Sequence, residues 1–221
     1  LLTEDPKLVD VVAESYNRIG KMLDEIDQDG GWQEGCGYWY YGTHTSAYFA
    51  DAFKRLTGGK YNLFQHPRLK NNTVNFPVYC NLSPRKTVDF EDSGGGIVGA
   101  SHFYNKLATE CGSREAAWYR TTMFGEGNDL FDIIWPRSAT PAEPPKQPSI
   151  HFRGIDWVIM RSGFGDVTKP IIAAKAGMND DPHHGHLDVG HFILFWNGQG
   201  YIGESGHSAY DEKFFDEARY D

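Results

Sequence analysis

The chain has 221 residues and a formal net charge of −9 at pH 7. With no basic patch to offset phosphate repulsion, nucleic acid is not expected as a partner. No run of about 18 apolar residues exists to span a membrane. Three cysteines, Cys36, Cys80 and Cys111, are too few and too oddly numbered for a disulfide framework, and none has metal-site spacing with another.

In chain order, residues 6–27 are predicted as an amphipathic helix. Pro6 suits a first turn, and Leu8, Val11, Val12, Ile19, Met22, Leu23 and Ile26 keep a 3.6-residue period. Asp29-Gly30-Gly31 ends it, and residues 29–42 are expected to form a helix-to-helix loop. A second helix is predicted over about 44–57, stopping at Gly58-Gly59. Residues 59–95, rich in Asn, Pro and Gly, read as irregular. Further helices are expected near 97–110, 114–123 and 128–134.

Then the texture changes. Residues 140–148 carry Pro141, Pro144, Pro145 and Pro148 and should be extended. Short β-branched or aromatic runs follow at 150–153, 157–161, 170–176, 191–196 and 200–202, separated by turn residues. The expected fold class is α+β, with a helical part over 1–140, a linker at 141–149 and an antiparallel strand part over 150–221.

Three segments could carry chemistry. Residues 29–42 crowd glycines and aromatics around Glu34, and glycine lets a ligand approach the backbone closely. Residues 180–188 hold His183, His184 and His186 beside Asp180, Asp181 and Asp188. On a strand His184, His186 and Asp188 would share one face, and imidazole with carboxylate is an ordinary zinc donor set. Residues 202–207 offer Glu204 and His207 after a strand. Arg161, at a strand end, could pair with a substrate carboxylate as a planar fork. The 14 Phe, 12 Tyr and 6 Trp suit a packed core and also the C–H faces of sugars.

Two motifs resemble the heparinase II/III-like polysaccharide lyases, including the related oligoalginate lyases. One is Asp-Gly-Gly-Trp-x-Glu-Gly-x-x-Tyr-Trp-x-Tyr-Gly at 29–42. The other is His-Gly-His-Leu-Asp-x-Gly-x-Phe-Ile-Leu at 184–194, leading to Glu204-Ser205-Gly206 and Tyr210. The run Trp157 to Gly163 also looks like the family. The resemblance implies the C-terminal part of an incomplete α/α toroid followed by the start of an antiparallel β-sandwich. It implies cleavage of an acidic, uronate-containing polysaccharide or oligosaccharide by β-elimination, and a periplasmic or secreted location.

Carried over by position, Tyr38 matches the catalytic tyrosine, with Tyr40 and Tyr41 as the next choices. His184 matches a histidine near the cleft, and Glu34 would orient the loop or meet sugar hydroxyls. The family's zinc falls on His186 and on Glu204, which stands where the family has aspartate. The third ligand, a histidine, is expected beyond Asp221, and the residue that neutralises the uronate before Leu1. The chain opens on Leu1-Leu2-Thr3 without an initiator Met and ends on Arg219-Tyr220-Asp221, so both ends read as cut.

Elimination needs a neutralised carboxylate, a base for the C5 proton and an acid for the leaving oxygen. Free tyrosine has a pKa of about 10, so a tyrosinate base needs a positive neighbour, for which His184 and Arg161 are the candidates. Two other readings stand beside this one. The chain could be a toroidal glycoside hydrolase using paired carboxylates such as Glu34 and Asp92, or a glycan-binding protein without catalysis.

Overall fold

The computed structural model describes residues 5–127, 129–179, 184–205 and 210. Helices α1 (Pro6–Asp24) and α2 (Gly35–Leu56) come first, followed by the short helices α3 (Pro67–Asn71) and α4 (Asn75–Cys80). A small hairpin of β1 (Asn81–Ser83) and β2 (Lys86–Thr87) precedes helices α5 (Ser101–Cys111), α6 (Arg114–Met123) and α7 (Leu130–Ile134). The antiparallel sheet contains β3 (Ile150–Phe152), β4 (Trp157–Arg161), β5 (Ile171–Lys175), β6 (Phe192–Trp196) and β7 (Gln199–Ile202), paired in sequence order. The architecture is therefore α+β. Among the described residues no helix is long and apolar enough to cross a membrane.

Two expectations need correction. Residues 35–42 belong to a helix, so only 25–34 form the turn. Gly35 makes the change of direction at φ 87°, and a Cβ there would meet the Phe90 carbonyl oxygen and the Ser93 side chain at 2.9 Å. Beyond it Cys36, Trp39, Thr43 and Ala47 recur at helical spacing and are buried. Residues 59–95 also contain more order than expected, since α3, α4 and the hairpin lie there.

One core joins helices to sheet. Strand alternation turns Trp157, Ile159, Ile171, Ala173, Ile193 and Phe195 toward the helices, and all six are buried. Trp157 meets Phe90 at 5.0 Å and Phe76 at 5.4 Å between ring centroids. The outer face exposes Met160, Phe192 and Trp196. The segment 141–149 runs back over the helices, where Tyr79 donates to the Gln147 carbonyl and Arg114 pairs with Glu143.

A buried charge cluster ties α2 to α5. Lys106 donates to Asp51 at 2.5 Å and to Glu110 at 2.8 Å, and all three side chains are about a tenth exposed or less. Trp135 and Arg55 also donate to Asp51. Burial pushes the Asp51 carboxyl up, but Lys106, Trp135 and Arg55 outweigh it and leave it below the usual range. Lys106→Met should cost about 3 kcal/mol in urea unfolding, the low end for breaking a buried pair, because Lys54 and Arg55 remain. A group held below its unfolded value stabilises at neutral pH and loses that contribution as pH falls through its folded value. The gap between wild type and Lys106→Met should therefore narrow below the ordinary carboxylate range. A gap under about 1 kcal/mol at pH 7 would mean that the cluster contributes no net stability.

Candidate active site

The first turns of α2, the loop at 90–93 and the segment 184–188 meet at the junction of helices and sheet. Gly37 allows this meeting, because a Cβ there would stand 3.2 Å from the Ser93 carbonyl oxygen. The Ser93 hydroxyl accepts from the Gly37 N–H at 3.1 Å. Helix α2 is thereby fixed to the loop that carries Asp92.

The Asp92 side chain is fully buried. Its Oδ2 accepts from His184 Nδ1 at 2.8 Å and from the Tyr210 hydroxyl at 3.0 Å. Its Oδ1 lies 3.0 Å from His186 Nε2. Tyr38 stacks on the His184 ring at 4.0 Å between centroids and 26° between planes. The Tyr38 hydroxyl is 2.8 Å from that of Tyr210. Since Tyr210 donates its proton to Asp92, it accepts from Tyr38. Burial, then Tyr38 and then Asp92, push the Tyr210 phenol far above its ordinary range, so it stays protonated.

Glu34 stands at the head of α2. One of its oxygens accepts from Trp32 Nε1 at 3.0 Å, and the other lies 3.8 Å from His184 Nε2. The structure thus brings together Glu34, Tyr38, His184 and His186. Asp92, which sequence reasoning weighed only as half of a carboxylate pair, lies at the centre of the group.

Arg161 is not brought to this group, and the expected role there is corrected. Its odd-numbered place on β4, with Trp157 and Ile159, turns it inward. The guanidinium donates to the carbonyls of Tyr79 and Asn81 and lies over the Phe164 ring. Burial lowers it to about 10. It joins the sheet to the end of α4.

Behind the loop, Glu91 adopts φ 59° and accepts from the His186 N–H at 2.6 Å. Its other oxygen binds Lys175 of β5, which also binds Asp188, and both Glu91 and Lys175 are 4% exposed. Ligand atoms of His186, Asp188 and Glu204 all lie within 4.8 Å of one another. The sequence places Asp188 in a donor set with His184 and His186, and the resemblance assigns the zinc to His186 and Glu204; the structure groups Asp188 with those two, while His184 binds Asp92. His207, together with residues 180–183, lies outside the described residues.

A second ring cluster runs along α2. Tyr40 stacks on His44 at 4.6 Å, and His44 Nε2 is 3.3 Å from His102 Nε2. Burial, with His102 adding to it, pushes His44 down to about 4. Tyr40 therefore faces away from Tyr38, and Tyr41 is 73% exposed.

No family model and no curated protein matches the chain. Solved structures do. A heparinase III crystal structure matches with a TM-score of 0.74 at 14% identity, covering 93% of this chain and 32% of that one. A mutant of heparan sulfate lyase HepC from Pedobacter heparinus matches with a TM-score of 0.61 at 18% identity, covering 92% of this chain and 29% of that one. A heparinase III with methylated lysines gives 0.61 at 16% identity, over 96% and 30%. The chain spans about a third of the length of these structures and shares the fold of that third. The resemblance read from the two motifs is met at the level of fold.

Proposed function

We propose that this chain supplies the tyrosine side of the active site of a polysaccharide lyase, which cleaves uronate-containing glycans by β-elimination. The observation that carries this reading is the Tyr38 phenol, stacked on His184 and linked through Tyr210 to the buried Asp92. The shared fold with heparinase III and heparan sulfate lyase supports it.

In this reading Tyr38, as phenolate, takes the C5 proton of the uronate. It then returns that proton to the leaving glycosidic oxygen, so the enzyme ends as it began. A phenol is a poor base near neutral pH, and its environment must favour the charged form. His184 offers an imidazole face and a ring held by Asp92. Tyr210 accepts from the phenol, and by turning its proton away from Asp92 it can donate to the phenolate. Glu34, tethered by Trp32, orients His184 or meets sugar hydroxyls.

The wider architecture belongs to the same reading. The helices would form the end of an α/α toroid, and the apolar outer face of the sheet suits a second β layer. His186 and Glu204 fit a zinc site in chemistry and proximity. A zinc ion held there would supply a tie between the His184 segment and the end of β7, stiffening the cleft. The partner would be an acidic polysaccharide, and the location periplasmic or secreted.

The runner-up, hydrolysis by Glu34 and Asp92, has one observation against it: the Asp92 side chain has no surface with which to touch a sugar. The decisive assay incubates the full-length protein with heparan sulfate, alginate and glucuronan. It follows ultraviolet absorbance, because elimination creates a conjugated double bond and hydrolysis does not. New reducing ends without that absorbance would overturn the lyase reading.

A further inference from the structure

A cavity of about 400 Å³ lies at the far end of α2, lined by Arg55, Lys106 and Arg137 together with Ile134, Trp135 and Pro136. It is separate from the active site. Tyr38 and Arg55 stand 17 positions apart on one unbroken helix, which makes about 25 Å. A second cavity shares Arg55 and Lys106 and adds Lys54.

The carboxylates beside these cavities are already spent. Asp51 accepts from Lys106 on one oxygen and from Arg55 and Trp135 on the other. Glu110 accepts from Lys106 on one oxygen and from Lys54 on the other. Burial pushes Glu110 up, but Lys106 and Lys54 outweigh it and hold it below the usual range, as happens at Asp51. Both are anions at neutral pH. Four cations, Lys54, Arg55, Lys106 and Arg137, thus stand over two carboxylates, a local surplus of two positive charges in a chain of net charge −9. Among the described residues Arg55 donates only through Nε, Lys106 uses two of its three N–H groups, and Arg137 forms no ion pair. The wall that carries Arg137 is fixed. Ser138 Oγ accepts from the Thr140 N–H at 3.1 Å, and the Thr140 hydroxyl donates to the Ala108 carbonyl of α5 at 2.9 Å.

We infer that this cavity binds an acidic sugar unit of the glycan, through its carboxylate or sulfate, as a second hold on the polymer away from the point of cleavage. Arg137 and the free end of Arg55 offer planar forks that match either acid group, and Lys106 adds a point charge behind them. Ile134, 41% exposed, and Pro136 give an apolar face for the C–H side of a sugar ring. The volume falls in the range of small-ligand sites, about 300–1,000 Å³. A polymer held here meets the active site at a raised effective concentration. The inference takes its ligand class from the lyase reading, whereas the charge surplus and the cavity stand without it.

The test is native electrophoresis of the full-length protein through gels holding heparan sulfate, alginate or glucuronan, with a neutral glucan as the blank. Mobility against polymer concentration gives a dissociation constant, and no product is measured. The double variant Arg55→Gln with Arg137→Gln keeps an amide donor for Asp51 and should bind acidic polymers at least about tenfold more weakly. Lys146→Gln with Lys169→Gln removes the same charge elsewhere on the surface and should stay within about twofold at about 0.15 M salt. Loss confined to heparan sulfate assigns the sulfate, and loss with alginate and glucuronan as well assigns the carboxylate; either supports the inference. Unchanged retardation of the arginine variant, equal loss in both double variants, or equal retardation by the neutral glucan would each overturn it. If the double variant does not fold, Arg137→Gln alone decides, since it breaks no ion pair among the described residues. A loss under about threefold in that variant would overturn the inference. Retardation without elimination activity would remove the lyase reading alone, and elimination with retardation indifferent to Arg55 and Arg137 would remove this inference alone.

Discussion

Tyr38→Phe should lower the elimination rate on the preferred uronate polymer by about 10²- to 10⁴-fold, the usual worth of a positioned acid–base group. Fold and substrate affinity should be nearly unchanged. The substitution keeps the ring, so the stack on His184 persists. It removes one hydrogen bond, to Tyr210, whose net contribution is about 0.5–1.5 kcal/mol. KM should move far less than kcat, because the hydroxyl acts on the reacting proton and not on the remote sugars. Tyr40→Phe and Tyr41→Phe are the controls. Tyr40 packs against His44 and Phe103, on the other side of the helix. Both controls should stay within about threefold of wild type, as surface or packing changes do. Near-normal turnover in Tyr38→Phe, with loss in Tyr40→Phe, would move the acid–base role along the helix.

The strands were legible because alternation and turn residues act locally. Each predicted run from 150 to 202 overlaps an observed strand, with bounds differing by a residue or so. The start of α2 was not legible. Gly35, Gly37 and Gly42 read as loop, and what two of them serve is the close approach of Phe90 and Ser93, more than fifty residues away. The same distance hid Asp92. Its place beneath His184 and His186 arises from packing across some 92 positions of chain. The only local signal is three polar residues, Glu91-Asp92-Ser93, set between the buried Val88 and Phe90 and a run of glycines. Arg161 could have been placed from the sequence, since the alternation that turns Trp157 and Ile159 inward also governs residue 161. Tyr38 and His184 were found through the motifs, and the face-to-face stack that joins them is tertiary.

Asp92→Asn should depress turnover by about 10² or more, and it should do so without the substituted residue touching substrate. The carboxylate accepts from rings on both sides, so it fixes which nitrogen of His184 carries the proton and holds that ring flat against Tyr38. An amide offers one acceptor and one donor. Its nitrogen would oppose an N–H of His184 or His186, or the Tyr210 hydroxyl, and one of these must turn away. His184 would lose its orientation, Tyr210 its acceptor, and Tyr38 the polar chain behind its hydroxyl. Removing one partner from a buried charged network also costs stability, about 3 kcal/mol or more, so the melting temperature should fall with the rate. Asp92→Glu separates the two effects, because it restores the charge one methylene out of place. It should recover little of the rate, since position matters as much as charge. The paired-carboxylate hydrolase reading expects Glu34→Gln to be as damaging as Asp92→Asn. Here Glu34→Gln keeps an acceptor for Trp32 and should cost about tenfold or less. Equal and severe losses at both positions, with a saturated product, would displace the lyase mechanism.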